Sequence, residues 1–154
     1  MTLDEFKAKY LGQKVEADGQ YLYQCVDLIK QYCTDVLQTP VIMGNAVDYS
    51  KNPLPAQFEY FVNHLWYIPP RGAIAVWNKE VGAGFGHVSI VLDATIMKFT
   101  SLDQNWPTGS PVAQVVHNYT NVSGFLVKRQ TDVVSRYNAL VDDLRNIAVR
   151  YPKL

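Results

Sequence analysis

Hydrophobic residues recur along this chain with two different periods. Over residues 23–37 the apolar set is Cys25, Leu28, Ile29, Tyr32, Cys33, Val36 and Leu37, the spacing of an amphipathic helix with one buried face. Upstream, Thr2-Leu3-Asp4-Glu5 has the form of a capping box. It predicts a short helix over residues 3–11 with Phe6 and Tyr10 on one face, ended by Gly12. Residues 13–22 read as a polar loop. Residues 38–70 hold most of the prolines and no strong period, with turns at Gly44-Asn45-Ala46 and at Lys51-Asn52-Pro53, and residues 58–66 form either a strand or an irregular aromatic segment. After Pro69-Pro70 the runs become short and β-like: residues 72–77, 87–92, 97–102, 113–119 and 124–129. Residues 131–154 return to helical spacing through Val133, Val134, Tyr137, Leu140, Val141, Leu144, Ile147, Ala148 and Tyr151, with Thr131 or Asp132 as cap and Pro152 as stop. Helices followed by a meander of strands predict an α+β domain over residues 1–130, with a C-terminal helix or linker over residues 131–154.

Composition narrows the function classes. The formal net charge of the 154 residues is zero, with no basic run, so neither a nucleic-acid footprint nor a membrane-surface helix is expected. No apolar run reaches the length of a membrane span, and the N-terminus lacks the pattern of a secretory signal. Cys25 and Cys33 on one helix stand roughly 12 Å apart, beyond the about 7 Å limit of a disulfide. Two Cys and three scattered His also give no structural zinc spacing.

The polar residues that interrupt these patterns suggest chemistry. Cys25 falls in the first turn of its helix, where unpaired N–H groups and the helix dipole favour a thiolate. It also belongs to the apolar stripe, so by position alone it fits a small core residue; Cys33 reads as core. His87 follows the glycine-rich run Val81-Gly82-Ala83-Gly84-Phe85-Gly86 and opens a strand, which fits either a close backbone approach or the edge of a hairpin. Asp103 and Asn105 flank Gln104 at a strand end, where alternation places them on one face beside Trp106. A thiolate, a base and a group that orients the base are what nucleophilic cysteine catalysis requires.

Gln24-Cys25-Val26-Asp27-Leu28, Gly44-Asn45-Ala46, Gly86-His87 and Asp103-Gln104-Asn105-Trp106, in this order, resemble the CHAP domain, the cysteine, histidine-dependent amidohydrolase/peptidase of the papain-like superfamily common in phage endolysins. The resemblance spans roughly residues 1–130. It implies a papain-like α+β fold with N-terminal helices packed on a twisted antiparallel sheet. It also implies a nucleophile at Cys25, a general base at His87, and an oxyanion hole from the Cys25 N–H and the Gln24 side chain. Relatives often carry Glu where this chain has Asp103, one methylene shorter, which leaves the orienting role open between Asp103 and Asn105. One departure, Ala73 in place of an Asp, touches none of these groups.

Upstream of Cys25, the possible oxygen donors Glu16, Asp18, Gln20, Leu22 and Asp27 fall at positions one, three, five, seven and twelve of a loop, with Gln20 and Leu22 offering carbonyls. Tyr21 stands where an EF-hand needs Gly, so the loop is not an EF-hand. Some CHAP lysins bind calcium in this loop, and the resemblance implies Ca2+ here; a solvated acidic loop is the plainer reading of the residues alone. Trp77 and Trp106 either stack on substrate or belong to the core, while His64 and His117 have no partner legible in the sequence. The expected function is a peptidoglycan hydrolase cutting an amide bond of wall peptide. It would be made in the host cytoplasm without a signal peptide and then released to the wall. A virion-associated hydrolase, or a non-catalytic wall-binding or structural module on the same fold, are the alternatives. The C-terminal helix is expected to dock, to self-associate or to lead to a further wall-binding module.

Overall fold

The computed structural model describes residues 1–51, 53–129 and 133–150. Helix α1 runs over Leu3–Tyr10, and Thr2 caps it: its hydroxyl accepts from the Glu5 N–H while the Glu5 carboxylate accepts from the Thr2 N–H. Phe6, on its inner face, is fully buried. Helix α2 is shorter than the sequence period suggests. It is α-helical over Cys25–Tyr32 and then widens into a π turn over Cys33–Leu37. At this point the Thr34 hydroxyl donates to the Lys30 carbonyl, a side-chain bond that competes with the backbone ladder. Gln38 then adopts a left-handed conformation and ends the segment.

The strands are β1 Phe58–Val62, β2 Ile74–Trp77, β3 Val88–Ala94, β4 Phe99–Asp103, β5 Ala113–His117 and β6 Val122–Lys128. They form one antiparallel sheet in the order β1-β6-β2-β3-β4-β5. The aromatic segment beginning at Phe58 is therefore a strand, and it closes one edge by pairing with β6. One face of the sheet, with Ile74, Val76, Val88, Ile90 and Leu102, packs on Phe6, Leu28, Ile29 and Tyr32 of the two helices. The other face gathers Ala75, Trp77, Val91, Phe99 and Phe125 under Tyr67 and Tyr119. Burial of both faces explains why β2 is apolar at every position rather than alternating.

A helix α3 spans Val133–Arg150, with Tyr137, Leu140, Leu144 and Ile147 exposed. The expected caps Thr131 and Asp132, and the expected helix end at Tyr151 and Pro152, lie outside the described residues, as does Asn52 of the expected turn. Among the described residues no helix is long and apolar enough to cross a membrane.

The glycine-rich approach to β3 folds into a short 3-10 turn, Gly82–Gly84. Its last glycine, Gly86, has φ +76°, and a Cβ there would stand 2.8 Å from both the Trp77 carbonyl oxygen and the Val47 nitrogen. The turn containing Ala46 and Val47 is pinned at the same place, since the Val47 N–H donates to the Phe85 carbonyl. The Gly-Asn-Ala and Gly-His motifs thus meet in space, and only a residue without a side chain fits where they cross. Gly86→Ala is expected to cost about 2 kcal/mol or more, because backbone must move. Gly84→Ala, also at positive φ (+94°) but with open space around it, carries only the backbone strain of about 1–2 kcal/mol and should cost less than Gly86→Ala. Urea unfolding of the two variants checks this, and equal losses would refute the account.

Candidate active site

Three element ends converge. Cys25 is the first residue of α2, His87 immediately precedes β3, and Asp103 is the last residue of β4. Element ends suit chemistry because their backbone is fixed on one side while their side chains project past the packed layers. The Trp77 N–H donates to the His87 carbonyl (2.9 Å), which fixes the backbone of His87 against β2. His87 Nε2 lies 2.8 Å from Asp103 Oδ2, and the Cys25 thiol is close enough to the same imidazole to help raise its pKa. With Nε2 directed at a carboxylate, the ring presents an N–H there and turns Nδ1 to the thiol. Cys25 is half-buried, whereas His87 and Asp103 are buried.

Burial and charge act on this trio in opposite directions. Burial alone depresses the His87 imidazole, but the hydrogen bonds to Asp103 and Cys25 and the charges of those groups outweigh it and lift His87 to about 9. Burial pushes the Asp103 carboxyl up, but donors from His117 and His87 more than compensate and hold it below the usual carboxylate range. Asp103 is 0% exposed, and each of its oxygens is engaged: Oδ1 accepts from the Ser101 hydroxyl at 2.5 Å and Oδ2 faces both imidazoles.

Other sequence candidates are placed differently from the strand-alternation reading. Asn105 has φ +61°, which breaks the alternation, so it does not share the His87-facing side with Asp103. Its amide instead donates to Gln24 Oε1 (3.1 Å), and its own oxygen accepts from the Gly109 N–H. Gln24 Nε2 donates to the Tyr21 carbonyl (2.7 Å), leaving the second amide proton uncommitted. Trp77 is only 2% exposed, which corrects its reading as a substrate platform: the second sheet face is covered, so this ring forms a wall of the site, edge-on to His87. Trp106 is half-buried, with its ring 4.7 Å from that of His87.

Two residues escaped the sequence reading. His117 has a partner after all, with its Nε2 3.0 Å from Asp103 Oδ2. It stands at the end of β5, opposite Phe99, so only the strand register reveals the contact. Gln104 is fully buried, and its side-chain amide pairs with both the N–H and the carbonyl of Val15 while also donating to the Gln24 carbonyl. It stitches the end of β4 to the loop that enters α2. Its place within the Asp-Gln-Asn-Trp motif was the signal that could have found it.

Glu16, Asp18 and Asp27 offer carboxylate oxygens that all lie within 4.8 Å of one another. Asp27 Oδ2 accepts from the Gln24 N–H at the start of α2, while the buried Oδ1 has no hydrogen-bond partner. Lys30 pairs with Asp18, and its ammonium stands 3.7 Å from Asp27 Oδ1. Burial raises the Asp27 carboxyl, and repulsion from Glu16 and Asp18 adds to this against the Gln24 N–H and Lys30. Gln20 and Leu22 lie in the exposed loop between these acids.

Known proteins share this arrangement of elements. A family model for the CHAP domain matches residues 16–105. Endolysin PlyTW of Staphylococcus phage Twort is 30% identical over 132 residues, covering 76% of this chain and 28% of that protein. Endolysin LysK of Staphylococcus phage K is 33% identical over 116 residues, covering 73% and 23%. The chain thus spans about a quarter of the length of these curated relatives. The crystal structure of the wild-type endolysin LysIME-EF1 superposes with a TM-score of 0.70 at 28% identity, covering 85% of this chain and 66% of that one.

The raised His87 pKa makes a prediction for stability. An imidazole that binds its proton more tightly when folded contributes stability that is fully present below about pH 6.5, where the unfolded group titrates. That contribution is lost as pH rises through about 9. The stability gap between wild type and His87→Gln, measured by urea unfolding, should therefore narrow from pH 6 to pH 9.5; a constant gap would contradict the assigned linkage.

Proposed function

Since the chain belongs to the CHAP domain family, we propose that it is the catalytic unit of a peptidoglycan hydrolase of the phage endolysin type, cleaving an amide bond of bacterial wall peptide with Cys25 as nucleophile. The observation that carries this reading is the buried His87 held between Asp103 and the thiol at the start of α2. The relatives named endolysins support the substrate class.

In this reading Cys25 first gives its proton to His87 Nδ1, the thiolate so formed attacks the amide carbonyl carbon, and Asp103 stabilises the imidazolium through Nε2. The oxyanion is met by the Cys25 N–H, which has no intrahelical acceptor at the first helical position, and by the uncommitted proton of Gln24 Nε2. Asn105 holds Gln24 by its oxygen and so presents the donor end of that amide to the site. Collapse breaks the C–N bond, and the imidazolium hands its proton to the leaving amine. Water, deprotonated by His87, then attacks the thioester carbonyl, releasing the new carboxylic acid and restoring the thiol. Trp106, beside His87 and partly open, is the ring positioned to contact the wall peptide. The bond cut is an amide of this class, and mass spectrometry of digested walls identifies which.

We further assign a Ca2+ to Glu16, Asp18 and Asp27, with the Gln20 and Leu22 carbonyls as the remaining protein donors. Hard oxygen donors suit this ion, and the orphaned, buried Asp27 Oδ1 is the atom it would satisfy. Bound there, the ion supplies positive charge that ties the loop to the residue two positions after the nucleophile. Asp27 already caps α2 through the Gln24 N–H, so the loop and the aim of Cys25 are joined by one side chain.

Two outcomes are expected. Cys25→Ser should slow clearance of Gram-positive cells or walls, followed by turbidity, by at least about a thousandfold; equal rates in both proteins would end the catalytic assignment. Calcium should raise the melting temperature of wild type, by about 2.7 kcal/mol of added stability at a hundredfold excess over Kd. Asp27→Asn should blunt the rise. A melting temperature that does not change between EDTA and millimolar calcium would eliminate the ion.

A further inference from the structure

We propose that His117 is a positioning residue of this site: by donating its Nε2 proton to the same Asp103 oxygen that orients His87, it fixes the carboxylate on which the His87 tautomer depends. The inference rests on the cysteine-nucleophile reading above and adds a fourth side chain to it.

The geometry is asymmetric. One oxygen of Asp103, Oδ2, faces His87 Nε2 at 2.8 Å and His117 Nε2 at 3.0 Å, and the other accepts from Ser101. A carboxylate oxygen has two lone pairs and accepts from both rings only if each presents N–H at Nε2. Ser101 alone would leave the carboxylate pivoting about one bond. Two further donors on the second oxygen settle its rotation, and with it the direction of the acceptor that His87 sees. His117 is itself set by packing. Its ring lies 4.9 Å from that of Trp77, 5.5 Å from Phe99 and 5.4 Å from Trp106. Trp77 and Trp106 also contact the His87 ring. The two indoles thus flank both imidazoles and keep water from competing for Asp103. Cys25 acts on His87, whose ring joins the thiol to Asp103, while the Nε2 of His117 is turned to the carboxylate, so His87 is the base and His117 its support. A buried carboxylate is costly unless every oxygen is satisfied, and the Nε2 of His117 supplies a further donor to Oδ2.

The alternative is that His117 serves only as a ring in an aromatic cluster. His117→Phe keeps a flat ring and deletes the donor; His117→Gln keeps an amide N–H and deletes the ring. The readout is the alkylation rate of Cys25 by iodoacetamide as a function of pH, followed on the Cys25 peptide by mass spectrometry. It needs no wall substrate and separates Cys25 from the buried Cys33. Positioning by hydrogen bond predicts that the Phe variant is alkylated at least about fivefold more slowly at pH 7 with a displaced pH profile, while the Gln variant stays within about twofold of wild type. A Phe variant that behaves as wild type, or equal impairment of both variants, overturns the proposal. Melting temperatures accompany each variant, and His117→Met replaces Phe as the donor-free variant if the latter does not fold. His87→Ala is the reference. If it slows alkylation while His117→Phe does not, only the role of His117 fails; if it changes nothing, the nucleophile–base pairing itself fails.

Discussion

Asp103 carries a negative charge at a place with no access to water, and most of the site can be understood as what that burial demands. An isolated carboxylate would be neutralised there. Three donors prevent this: the Ser101 hydroxyl and two imidazoles. The same bonds that keep Asp103 ionised fix which nitrogen of His87 bears its proton. The orientation of the base toward Cys25 is therefore a consequence of satisfying a buried charge, and the indoles of Trp77 and Trp106 preserve that condition by excluding solvent around both rings.

The backbone around the trio is held by contacts that do no chemistry. Gln104 binds both polar groups of Val15 and the carbonyl of Gln24, so the loop entering α2 is tied to the end of β4. Gly86 lets the turn bearing Val47 press against β2 just before His87. Asn105 and Asp27 bracket Gln24, one through its side chain and one through its N–H. The nucleophile and base thus come from helix and strand ends whose relative positions are set by polar side chains between layers as well as by the apolar core.

The acidic loop shares an atom group with this scaffold. Asp27 turns one oxygen to the start of α2 and leaves the other buried and unbonded beside Glu16, Asp18 and Lys30. A cation there would act on the catalytic residues through the helix start, by geometry rather than by entering the reaction. The Lys30 ammonium pairs with two of these acids, Asp18 and Asp27.

The alternation of two hydrophobic periods was enough to place α1, the start of α2 and the short strands after Pro70, because helix and strand spacing are local properties of the chain. The ordered motifs around Cys25, His87 and Asp103 were also legible, since they are contiguous in sequence. Local periodicity misjudged the side of Asn105, because a left-handed residue breaks strand alternation, and it left Trp77 undecided, because exposure depends on what covers the sheet. The contact of His117 with Asp103 lay beyond it entirely. That contact joins residues fourteen apart on paired strands, and their register is set by packing and bulges across the whole sheet. The sequence by itself determined which chemical groups this protein carries and the elements that carry them; only the tertiary structure decided which groups share an oxygen, because that depends on strand register and burial, which no local pattern encodes.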